Sequence, residues 1–101
     1  MKTFNEFINE GKNDYTLYHS TLTSAIQEVD KWLSRNGGYE MDSEDAAQKI
    51  GLGPKKPSRG KTNKYNVKIT KNGKEQKKLV HIQVYNRETK DNPYELNVYV
   101  S

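Results

Sequence analysis

Asn72-Gly73 stands between two runs in which apolar and polar residues alternate, and this arrangement constrains the fold more tightly than any other feature of the chain. The dipeptide accepts the positive φ angles of a two-residue hairpin turn, so it joins two antiparallel strands. Before it, Tyr65, Val67 and Ile69 alternate with Asn66, Lys68 and Thr70. After it, Val80, Ile82 and Val84 alternate with Leu79, His81, Gln83 and Tyr85. A two-residue turn pairs Lys71 with Lys74, and therefore Val67 with Lys78 and Tyr65 with Val80. Side chains repeat with period two, so odd positions of the first strand share a face with even positions of the second. Both sets are apolar. Beyond a polar loop through residues 86–93, Tyr94, Leu96, Val98 and Val100 alternate once more. The pattern predicts a three-stranded antiparallel meander with one apolar face.

An apolar sheet face needs a cover. Leu22, Ala25, Ile26, Val29, Trp32 and Leu33 recur at helical spacing, with Gln27, Glu28, Asp30 and Lys31 on the opposite side. Ser20 or Thr21 supplies the N-cap hydroxyl, and Asn36-Gly37-Gly38 ends the helix. Trp32 is expected to be its main core anchor. A shorter helix starts at Asp42 or Ser43, with Glu44 and Asp45 in its first turn, where negative charge complements the helix dipole. Ala46, Ala47 and Ile50 are its apolar side, and Gly51 stops it. The expected fold is α+β, one long and one short helix packed on a three-stranded antiparallel β-meander.

The 101 residues suit one small domain, with 32% apolar and 30% charged residues. No run of about 18 apolar residues is present, so no membrane partner is expected. The absence of cysteine excludes disulfides and thiolate metal sites, and suits a reducing cytoplasm. The net charge of +4 is unevenly spread. Residues 1–50 carry 5 basic and 9 acidic groups, whereas residues 53–78 carry 10 basic groups against the single Glu75. That basic stretch is the first candidate site, because clustered Lys and Arg meet phosphate without needing sequence preference.

Within it, residues 51–62 form a loop by their glycines and prolines, ending in Gly60-Lys61-Thr62. A phosphate-binding loop needs glycine five positions before Gly60, where Lys55 stands, and a helix afterwards, where the pattern predicts a strand. Nucleotide hydrolysis is therefore not expected; simple charge contact is. The second sheet face is expected to show Asn66, Lys68, Thr70, Leu79, His81, Gln83, Tyr85, Asn97 and Tyr99, an array able to stack and grip single-stranded nucleic acid. The candidate nucleic-acid-binding residues are Lys55, Lys56, Arg59, Lys61, Lys64, Lys68, Tyr85 and Tyr99. His19 and His81 have no partner at metal-ligand spacing, and Asp42, Glu44 and Asp45 lack the spacing of a calcium loop. No nucleophile motif is present. The expectation is a protein that is not an enzyme and uses no cofactor or metal.

The opening ten residues are a separate matter. Phe4, Phe7 and Ile8 give one apolar face to a segment too short to hold a helix alone, and Gly11-Lys12-Asn13-Asp14 follows with loop composition. Met1-Lys2-Thr3, aromatic Phe4, Glu6-Phe7-Ile8 and Glu10 resemble the capsid-targeting sequence of the internal head proteins of T-even-type bacteriophages. The resemblance covers about a tenth of the chain. It implies targeting to the prohead core, cleavage by the prohead protease between Glu10 and Gly11 with Ile8 as a recognition residue, and packaging with DNA in the virion head. It also implies delivery into the host cytoplasm, where some proteins of this kind inhibit host defence nucleases, so a host defence protein is a further expected partner. The expected organisation is a propeptide at 1–10, a linker at 11–16 and a small basic domain at 17–101. The alternative is a stand-alone nucleic-acid-binding module that uses the basic stretch 55–78.

Overall fold

The computed structural model describes residues 15–51 and 56–101. Among these, β1 (Tyr18–His19), α1 (Leu22–Arg35), β2 (Glu40–Met41), α2 (Ser43–Ala46), β3 (Thr62–Lys71), β4 (Lys74–Asn86) and β5 (Tyr94–Val100) follow in order, with a π-turn at Ala47–Gly51 after α2. The sheet has five antiparallel strands in the order β1-β5-β4-β3-β2, which corrects the expected three-stranded meander. The meander is there as β3-β4-β5, but two-residue strands flank it on both edges. Two residues are too few to show any alternation, so the sequence pattern carries no sign of them. The class remains α+β.

β1 and β2 lie on opposite edges, and α1 connects them by crossing one face of the sheet. Its 14 residues span about 21 Å at 1.5 Å per residue, close to the ~19 Å width of five strands. Ala25, Val29 and Leu33, four residues apart, are fully buried, as are Val67, Ile69, Val80, Ile82, Val84 and Leu96 on the sheet. Trp32 is only partly buried and meets Tyr15 edge-on at 6.1 Å, so it borders the core and is not its anchor. Adjacent helix residues point about 100° apart, and Leu33 continues the line of Ala25 and Val29. The helix begins with Thr21 Oγ1 accepting from the Ser24 N–H (3.0 Å), and ends with the Asn36 N–H and side-chain amide both donating to the Trp32 carbonyl.

The hairpin keeps its predicted faces and the predicted pairs next to the turn, but not those further along. Lys71 faces Lys74 and Thr70 faces Glu75, after which the register shifts by two so that Lys68 faces Leu79, Val67 faces Val80 and Tyr65 faces Ile82. Gln76, Lys77 and Lys78 bulge opposite Ile69. A two-residue slip leaves every side chain on its face, because the period is two. It exchanges a Val67–Lys78 pair for Val67–Val80 and leaves both lysines exposed in the bulge. Packing overrode the simplest turn arithmetic.

Both edges are capped. Beyond β2, the Asp42 N–H donates to the Lys68 carbonyl (2.8 Å), Asp45 Oδ2 accepts from the Lys68 N–H (2.8 Å), and Lys49 Nζ donates to the Asn66 carbonyl (2.7 Å). The second helix thus takes the place of a strand along the edge of β3. Asp42 also N-caps it, with Oδ1 accepting from the Asp45 N–H at 3.0 Å. On the far edge the Leu96 N–H donates to the Leu17 carbonyl, and Tyr15 Oη accepts from the Val98 N–H at 3.4 Å. Tyr15 and Thr16, read from sequence as the end of a linker, therefore touch the body; residues 11–14 lie outside the described residues.

Candidate nucleic-acid interface

Residues that face one another across antiparallel strands share a face, so the register builds the outer surface row by row. One row runs Tyr99, His81, Asn66 across β5, β4 and β3. Lys64 and Lys68 lie two positions to either side of Asn66 on β3, beside Gln83 and Leu79 respectively. At the other end a row runs Tyr18, Glu95, Tyr85, Thr62. Among the described residues, Tyr18, Tyr85 and Tyr99 are the exposed large hydrophobic ones, at 42%, 37% and 50% of full exposure.

The Tyr99 row is tied together. The His81 and Tyr99 rings are stacked, 4.7 Å between centroids and 22° from parallel. His81 Nδ1 lies 2.8 Å from Asn66 Oδ1, and Nε2 lies 2.8 Å from Ser101 Oγ. An amide oxygen only accepts, so Nδ1 carries hydrogen and donates, and in the neutral ring the Ser101 hydroxyl donates to Nε2. Ser101 is held in turn by backbone bonds to Leu79 in both directions. Lys64 and Lys68 have no ion-pair partner among the described residues. Near Lys68, Asp45 keeps its carboxyl below the ordinary range, first because the Lys68 N–H donates to it and then because Lys49 lies 3.1 Å away.

The Tyr85 end is organised differently. Arg87 lies over the Tyr18 ring, 4.0 Å from its centroid, and its Nη2 donates to the Asn92 carbonyl (2.8 Å). Its buried Nε has no partner among the described residues. The Asn86 side chain donates to the Pro57 carbonyl and accepts from the Glu88 N–H, joining the 57–61 loop to the β4–β5 loop. A surface pocket of about 290 Å³ between these loops is lined by Arg59, Asn86, Glu88, Thr89, Lys90 and Pro93. Arg59 and Glu88 approach only to 4.0 Å and are both well exposed.

The sequence-predicted set therefore divides. Lys64, Lys68 and Tyr99 share the outer face, the lysines in the rows on either side of the Tyr99 row; Tyr85 stands at the other end beside Glu95; Lys56, Arg59 and Lys61 lie on or next to the loop that leads into β3. Lys55, Ile8, Glu10 and Gly11 lie outside the described residues. The sequence pattern puts Asn66 and His81 on this face without singling them out as binding residues, and gives no sign of Ser101. Its hairpin register put Asn66 opposite Leu79, and the slip of two brings His81 there instead. Gly60-Lys61-Thr62 leads into a strand, not a helix, and the Lys61 N–H donates to the Ser58 carbonyl. His19 is buried with Nε2 on the Thr16 carbonyl and Nδ1 on Ser24 Oγ, both at 2.7 Å, so it fastens β1 to the start of α1. No family model, curated protein or solved structure matches the chain.

Proposed function

We propose that this chain is an internal head protein of the T-even-type phage kind. Residues 1–10 direct it to the prohead core, the prohead protease cuts between Glu10 and Gly11, and the 91-residue product is packed with DNA. It is then delivered into the host cytoplasm, where it acts against a host defence protein. The address rests on the N-terminal pattern. The structural observation behind the DNA partner is the distribution of cations along β3. Lys56 and Lys61 stand near one end, Lys64 and Lys68 on its outer side, Lys74 beyond the other end, and Lys77 and Lys78 in the β4 bulge opposite Ile69, none with an ion-pair partner among the described residues. Such cations release counterions from a phosphate backbone without reading its sequence. Intact-mass analysis of purified virions tests the reading: a chain beginning at Gly11 is expected, trimming is lost in Glu10→Ala, and absence from virions would sink it.

A second reading is a stand-alone nucleic-acid-binding module made in the infected cell. It is favoured by the Tyr99–His81 stack with lysines on the neighbouring strand. In that case the full chain alone is found in infected cells, and deleting residues 1–10 lowers stability.

A further inference from the structure

We propose that the Tyr99–His81 stack is a seat for one unpaired base of single-stranded nucleic acid, with Lys64 and Lys68 taking phosphates on either side. The inference rests on the nucleic-acid reading of the outer face and is independent of head targeting. Three observations carry it. First, both nitrogens of His81 are engaged, by Asn66 and Ser101, so the ring is held in its stacking orientation before a ligand arrives and little ordering remains to oppose binding. Second, Tyr99 is half exposed with His81 against one ring face, so a base stacked on the other face lengthens an existing stack. Third, Lys64 and Lys68 are four residues apart on one strand, about 13 Å, and straddle the row that holds the stack. A duplex keeps its bases stacked on one another and offers this surface only phosphates, so the seat selects single strands.

The rest of the face argues for this location over the Tyr85 end. There Glu95 stands between Tyr18 and Tyr85, where a carboxylate repels phosphate, and Arg87 already covers the Tyr18 ring, whereas the Asp45 carboxylate near Lys68 is already paired with Lys49. A purely solvated face also fits poorly with the stack. A histidine that served only solubility would need neither of its two side-chain partners.

The test uses the full chain and fluorescent oligothymidylate, oligouridylate, an abasic oligomer of equal charge and a duplex. The single strands with bases should bind more tightly than the abasic oligomer and the duplex, whether the strand is oligothymidylate or oligouridylate. Tyr99→Ala should weaken oligothymidylate binding roughly 5- to 100-fold, whereas Tyr99→Phe, which keeps the π-face, should retain it. Lys64→Ala with Lys68→Ala should reduce the slope of log affinity against log salt by about 1.4. Equal affinity for the base-bearing and abasic oligomers, unmoved by Tyr99→Ala, would overturn the seat and leave backbone contact standing. No binding to any of the four near physiological salt would overturn the seat and the DNA contact together.

Discussion

The two faces of the sheet are cut from the same strands and obey opposite rules. On the inner face Val67, Ile69, Val80, Ile82, Val84 and Leu96 are fully buried under α1. On the outer face of the same strands, Asn66, His81, Ser101 and Tyr99 hold one another by hydrogen bonds and ring contact. The inner face stabilises by removing apolar surface from water, a non-directional effect that tolerates any well-packed arrangement of suitable volume. The outer face depends on which side chain lies opposite which. On the inside parity decides which side chains are buried and register only which of them pair, whereas on the outside register decides which groups meet at all.

The largest expected effect comes from Ile82→Ala. It removes a fully buried side chain beneath the helix and should cost about 2–5 kcal/mol, a large share of the stability of a small domain. Its neighbour Gln83 points outward, and Gln83→Ala should stay within about 0.5 kcal/mol. Urea unfolding of the two variants measures both. Similar losses at adjacent positions would break the contrast between the faces. The cover can be tested the same way. Thr21→Ala removes the oxygen that accepts from the Ser24 N–H and should cost about 1 kcal/mol in the same assay, while leaving oligonucleotide binding unchanged under conditions where the protein is folded.

Parity was legible in the sequence and register was not. The alternation around Asn72-Gly73 identified the inner face residue by residue, because period two survives any even slip. It could not reveal the slip itself, which follows from valine–valine and tyrosine–isoleucine contacts across β3 and β4 that exist only once the strands pair. The Tyr99 row is lost with it: the alternation puts Asn66, Lys68, His81 and Tyr99 on the outer face, but the turn arithmetic sets Asn66 opposite Leu79 instead of His81. The two edge strands left no pattern, and the Lys68 backbone groups that hold the second helix to the sheet carry no sequence signature. Asp42 was legible because capping is local chemistry; Asp45's second role was not, because its partner lies 23 residues away.

Asp45 and Asp30 extend the comparison to the sheet edge and the helix, with effects of opposite sign. Asp45 accepts from the Lys68 N–H and pairs with Lys49, so its folded pKa lies below the ordinary 3.8. On acidification the unfolded chain takes up this proton first, which favours unfolding. The stability from Asp45 is thus fully present above that ordinary value and is lost as pH falls through the lower folded value. Asp30, though exposed at the surface, is shifted upward, first by partial desolvation and then by the charge of Glu40. Its contribution is present below 3.8 and is lost as pH rises through the raised folded value, so the ionised group opposes folding at neutral pH. Urea midpoints measured from about pH 2 to 7 should therefore separate two variants. Asp45→Asn should flatten the acid limb relative to the parent, and Asp30→Asn should gain stability at neutral pH while matching the parent in acid. Parallel acid limbs for Asp45→Asn and the parent would mean that the carboxylate charge does not hold the second helix to β3. The edge would then owe its closure to the Asp42 backbone bond and the Lys49 bond to the Asn66 carbonyl.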